Sequence, residues 1–93
     1  GEGVPKDYRQ ALRWFRLAAD QGEAVAQTKI AIMYDDGQGV PHDIVQAYKW
    51  YSLASTNGDK PAAELRDRTA KQITPAQIAE AQKLAQEWKP KSK

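Results

Sequence analysis

The chain has 93 residues, 41% of them hydrophobic, with 14 Lys and Arg against 12 Asp and Glu and a formal net charge of +2. That length makes one small domain with a modest core, and the interspersed charges lack the basic stripe that marks a nucleic-acid-binding face. Cysteine is absent, which excludes disulfides and thiolate metal sites, and no apolar run approaches the length that spans a bilayer. No signal peptide is visible, yet the chain opens on Gly1 without a Met, so periplasmic and cytoplasmic locations both stay open.

Five helical segments and no strand are predicted. The first covers roughly Asp7 to Gln21, with Ala11, Trp14, Phe15 and Ala18 at the i, i+3, i+4, i+7 spacing of one helix face. Asp7 suits the N-cap, Gln10 completes a capping-box pattern, and Gly22 suits the left-handed residue that ends the helix. The second helix runs from about Ala24 to Asp35 and places Ala26, Ile30, Met33 and Tyr34 on a common core face. Gly37-Gln38-Gly39-Val40-Pro41 then makes a turn, because two glycines permit positive φ and a proline bars helix extension backwards through it.

The third helix, about Asp43 to Asn57, repeats the first. Gly1 to Gly22 and Gly37 to Gly58 align without a gap at a spacing of 36. The identical pairs are Gly1/Gly37, Gly3/Gly39, Val4/Val40, Pro5/Pro41, Asp7/Asp43, Gln10/Gln46, Ala11/Ala47, Trp14/Trp50, Leu17/Leu53, Ala18/Ala54 and Gly22/Gly58. A period of this size signals a stack of small units, none able to bury its apolar face alone. Short connections make neighbouring helices antiparallel. The recurring Trp14, Phe15, Trp50 and Tyr51, with Tyr34, read as core packing rather than a stacking platform for bases.

A fourth helix is predicted from about Pro61 to Gln72, with Ala62, Leu65, Thr69 and Ile73 on one side and i, i+4 ion pairs Glu64–Arg68 and Asp67–Lys71. The fifth begins at Thr74 as N-cap with Pro75 at the first helical position and Gln77 as capping-box partner, and it carries an apolar stripe of Ile78, Ala81, Leu84, Ala85 and Trp88. A polar-backed final hairpin is what the end of a stack needs in order to face water. Lys89, Lys91 and Lys93 form a basic, solvated tail.

These residues together resemble the Sel1-like repeat family, a branch of the tetratricopeptide-like helical repeats. The resemblance rests on Ala26-Gln27, Ile30, Met33-Tyr34, Gly37-x-Gly39-Val40-Pro41, Asp43, Ala47, Trp50-Tyr51, Ala54 and Gly58. It implies an all-α, right-handed solenoid of antiparallel helical hairpins. Residues 1–22 read as the second half of a repeat, 23–58 as a complete repeat, 59–88 as a capping helical hairpin and 89–93 as a tail. Ala31 stands where the family usually has glycine. The half repeat leaves the first helix without its natural partner, which implies either a fragment of a longer repeat protein or an oligomer in which a second copy covers Trp14 and Phe15.

Chemistry is sparse in the sequence. His42, the single histidine, sits in a turn with no base or metal ligand at local spacing, and Asp35 and Asp36 read as polar residues at a helix end. Gly37-Gln38-Gly39 has neither the preceding strand nor the third Gly or Lys-Ser/Thr of a phosphate loop. No catalytic residue, metal site or cofactor is therefore expected. The resemblance implies a non-catalytic protein–protein interaction or scaffold module, binding a protein or peptide on a concave face made by Val25, Thr28, Lys29, Ile32 and Asp35. At about 100° per residue, Val25, Thr28, Ile32 and Asp35 lie opposite the core face, with Thr28 and Asp35 expected to be accessible. Val25 and Ile32 either join that surface or pack on the first helix. The alternative is a regulatory repeat domain of a larger cell-envelope or carbohydrate-processing protein.

Overall fold

The computed structural model describes residues 7–90. Five helices follow one another: α1 (Tyr8–Asp20), α2 (Ala24–Asp36), α3 (Ile44–Thr56), α4 (Lys60–Ala70) and α5 (Pro75–Glu87). Among the described residues there is no strand. The turn expected over Gly1 to Pro5 and the last three residues of the tail lie outside the described residues.

The caps follow from local chemistry. The Asp7 carboxylate accepts from the Gln10 N–H at 3.0 Å, and the Asp43 carboxylate accepts from the N–H groups of Val45 and Gln46, each at 3.1 Å. Both satisfy donors that the first helical turn leaves free. The full capping box closes at Thr74, where Gln77 N–H donates to the threonine hydroxyl and Thr74 N–H donates to the Gln77 amide oxygen. At Asp43 the reciprocal half is absent because its N–H donates to the Tyr34 carbonyl at 3.1 Å, tying the third helix's start to the end of α2. Gly37 ends α2 in the left-handed conformation, φ +69°.

α2 and α3 form the centre of the molecule. α2 packs on both α1 and α3, and α3 packs on α2, α4 and α5. Ile30, Ala31, Ala47, Trp50, Tyr51, Leu53 and Ala54 make the core, with Ala19 from α1 and Ala26 from α2. α4 and α5 each dock on α3, α4 through buried Ala62 and Thr69, α5 through Ala81, Ala85 and Trp88. α4 has too narrow an apolar side to serve two neighbours, whereas the longer stripe of α5 reaches Trp50.

Two expectations are corrected. Trp14 is 65% exposed, while its repeat equivalent Trp50 is fully buried and Tyr51 is 2% exposed. The same sequence position is core in one unit and surface in the other because α3 has neighbours on more sides than α1. Phe15 and Tyr34 are half-buried against the core. In α4, neither Glu64–Arg68 nor Asp67–Lys71 pairs; Asp67 meets Arg66 at 3.3 Å instead.

One buried polar link was not foreseen. Gln27 is fully buried, donates its amide N–H to the Ala19 carbonyl at 3.0 Å, and accepts from the Asn57 side-chain amide at 2.9 Å. It joins the C-terminal ends of α1 and α3 through α2. Gln27 shares a helix face with Ile30 and Ala31, three and four residues on, and that periodicity is the signal for an inward-facing glutamine. Gln27→Leu keeps the volume but removes both bonds and is expected to lower stability by about 1–3 kcal/mol. Urea titration of the two proteins checks it, and an unchanged midpoint would remove the link from the fold's energetics.

Candidate interaction surface

α2 supplies the residues expected to form a concave binding face, and the structure separates them. Val25 is 63% exposed and Lys29 is exposed. Ile32 is half-buried and packs against the core. Asp35 is half-buried and accepts a hydrogen bond from the Tyr51 hydroxyl at 3.3 Å.

Thr28 overturns the expectation of an accessible side chain. It is 7% exposed, and its hydroxyl donates to the Asp59 carboxylate at the start of α4. That contact also explains why Asp59 occupies an N-cap without capping its own helix through its side chain. The reason for the discrepancy is the position of α2. A helix with neighbours on both sides buries much of its circumference, so the side opposite the main core is not automatically solvent.

Electrostatics keep the Tyr51 hydroxyl protonated where it meets Asp35. Burial, then the adjacent Asp35 charge and the hydrogen bond to it, push the Tyr51 hydroxyl well above its ordinary range, so it remains a donor. Beside α1, Lys49 and Arg16 both approach the Trp50 ring, with Lys49 Nζ 4.6 Å and the Arg16 guanidinium carbon 5.5 Å from its centroid. Burial and then the neighbouring Arg16 charge lower the Lys49 pKa, against an opposing pull from Asp20. Arg16 is also 3.5 Å from Asp20.

A second exposed surface lies on α1. Gln10, Arg13, Trp14 and Leu17 line a shallow groove, and Leu17 is 57% exposed. A third, polar depression lies between α3, α4 and α5, lined by Tyr48, Ser52, Arg66, Asp67, Gln82 and Gln86 among others. His42 is exposed. Among the described residues, no group of three or more His, Asp or Glu side chains is placed to hold a metal ion, and no helix is long and apolar enough to cross a membrane.

The Sel1 repeat pattern matches residues 1–23 and 24–59. The chain belongs to the Sel1 repeat family. Its fold is also similar to a crystal structure of a protective antigen present in uropathogenic Escherichia coli strains, which displays an SLR fold: 42% identity, TM-score 0.88, over 95% of this chain. The match spans 19% of that longer chain. No curated protein matches. The all-α solenoid with its repeating helical pair is thus a Sel1-like repeat stack, and such repeats are generally protein-interaction modules.

Proposed function

We propose that this Sel1-like chain is a non-catalytic interaction module that takes a protein or peptide partner on the outer surface of α2. The observation that carries this reading is Val25: an apolar side chain 63% exposed on a helix held from both sides by α1 and α3. Exposed Lys29 lies four residues on, one turn along the same side, and supplies a charge beside it. The half-buried edges of Ile32 and Asp35 extend the surface, while Thr28 belongs to the α2–α4 contact and not to the partner site. A rigid surface with a small apolar anchor and a polar rim is the arrangement that gives an interface its affinity with little ordering cost.

Peptides selected against the folded 93-residue protein test it. Nuclear magnetic resonance shifts from a selected peptide are expected to centre on Val25, Lys29 and Ile32. Val25→Arg is expected to weaken binding by about tenfold or more, while stability stays within about 0.5 kcal/mol because the site is exposed. Selected peptides that leave α2 unperturbed would overturn the assignment.

A further inference from the structure

The polar depression between α3, α4 and α5 is built where α4 and α5 each pack on α3. Its three walls and the turns that join them lie within the described residues. It is open and measures about 570 Å³, within the roughly 300–1,000 Å³ of ligand clefts. Tyr48 forms part of its lining and is 7% exposed, so the ring is buried. Its hydroxyl is not sealed inside the protein and has no hydrogen-bond partner among the described residues. A tyrosine buried to this degree ordinarily bonds its hydroxyl, and here the partner comes from whatever fills the depression. Tyr48 and Ser52 stand where α1 has Leu12 and Arg16, and Leu12 packs against the core, so this hydroxyl pair belongs to α3 and not to the repeat as such.

The lining decides the chemistry of the occupant. Tyr48 and Ser52 are four residues apart on α3, and Gln82 and Gln86 are four apart on α5, both glutamines exposed. Residues at that spacing share a helix face, separated along the axis by about 6 Å. In an extended chain, groups that point to one side recur every two residues, about 6.6–6.8 Å. A hydroxyl and a glutamine amide each donate and accept, as the paired N–H and C=O groups of a main chain require. The other ligand classes fit less well. Ala85 alone among the described lining residues is aliphatic, which leaves no anchor for an apolar helix. Arg66 and Asp67 pair with each other at 3.3 Å, so the lining has no net charge to draw a polyanion. The buried Tyr48 ring offers no face on which a sugar could stack.

We infer that the depression between α3, α4 and α5 binds an extended, uncharged segment of a partner polypeptide through its main chain, with Tyr48 and Ser52 bonding one edge and Gln82 and Gln86 the other. This is a second site, separate from the α2 surface, and it needs neither Val25 nor Lys29. Main-chain hydrogen bonds supply the affinity, so binding depends little on the side chains of the segment.

The test uses the full 93-residue chain, titrated in nuclear magnetic resonance with three probes. One is a peptide of alternating Thr and Ser, blocked at both ends. The second is the same peptide N-methylated at alternate residues, which removes main-chain donors and keeps every side chain. The third is maltotriose. The first peptide is expected to shift the side-chain amide signals of Gln82 and Gln86, and the N-methylated one to bind at least about tenfold more weakly. Gln82→Ala together with Gln86→Ala is expected to cost about tenfold or more with an unchanged melting temperature, since both side chains are exposed. Tyr48→Phe, which removes only the hydroxyl, is expected to weaken binding about threefold or more, and Val25→Arg to leave it unchanged. Equal binding of the N-methylated peptide, maltotriose at these residues in place of the peptide, or no shift up to about 10 mM peptide would overturn the inference. Binding lost in Val25→Arg but kept in the double glutamine variant would also overturn it, and would leave the α2 reading standing.

Discussion

Trp50→Ala is expected to be the most damaging single substitution in the chain. Trp50 is fully buried at the centre of α3, with Trp88 of α5 edge-on to its ring and Lys49 and Arg16 at its faces. Removing a large aromatic side chain from a packed core costs about 3–5 kcal/mol, against a total of about 5–15 kcal/mol for a domain. A shift of about 4–8 °C per kcal/mol follows for a domain of this size, so calorimetry should show a large fall in Tm or no transition. The indole N–H contributes nothing to offset this, because Nε1 of Trp50 is buried without a hydrogen-bond partner. Trp50→Phe, which keeps an aromatic ring and drops the unpaired donor, should therefore retain much more stability than Trp50→Ala. If the alanine variant melts like the parent, Trp50 is not the centre of the core.

Gly39→Ala is expected to be the second. Gly39 has φ +77°, a conformation that costs an L-residue about 1–2 kcal/mol. A methyl group there would also lie 2.7 Å from Tyr8 Cβ and 3.0 Å from the Tyr8 backbone carbonyl carbon and oxygen. The backbone of α1 cannot give way as a side chain would, so the turn must move off the start of α1. About 2–4 kcal/mol in total is expected from the strained dihedral and the displaced contact. Gly58→Ala is the control, because it shares the positive φ, +111°, but has nothing within 4 Å of the added carbon. The difference between the two variants in urea denaturation isolates the contact with Tyr8. Equal losses would mean that conformation alone makes Gly39 necessary.

Much of the fold was legible because the repeat writes its own boundaries. Asp7, Asp43 and Thr74 cap helices at the predicted places, and Gly22, Gly37 and Gly58 all have positive φ where helices end. The 3.6-residue period found Ala47, Trp50, Tyr51 and Ala54 of the α3 core and missed Tyr48 and Leu53, which are buried as well. The same period misplaced Trp14 and Thr28, because periodicity tells which residues share a face and not how many neighbours that face has. Identical residues can then have opposite fates, as Trp14 and Trp50 do. Thr28 was hidden by a contact 31 residues away, with Asp59, which no local pattern encodes. On the candidate surface, Val25 and Lys29 emerge as the exposed pair, and their neighbours Ile32 and Asp35 divide their contacts between solvent and the interior.

The reach of Trp88 bears on how the stack comes apart. Besides meeting Trp50, its ring edge lies 4.0 Å from the point where a side chain on Gly22 would begin, at the far end of α1. In an ideal array each unit touches only its neighbours, so terminal units fray first and melting spreads along a line. Here Trp88, the cap of the last helix, reaches beyond α3 to the turn that follows α1. Detachment of α5 therefore uncovers Trp50 and the turn after α1 together, and amides around Gly22 should exchange hydrogen in step with those of α5.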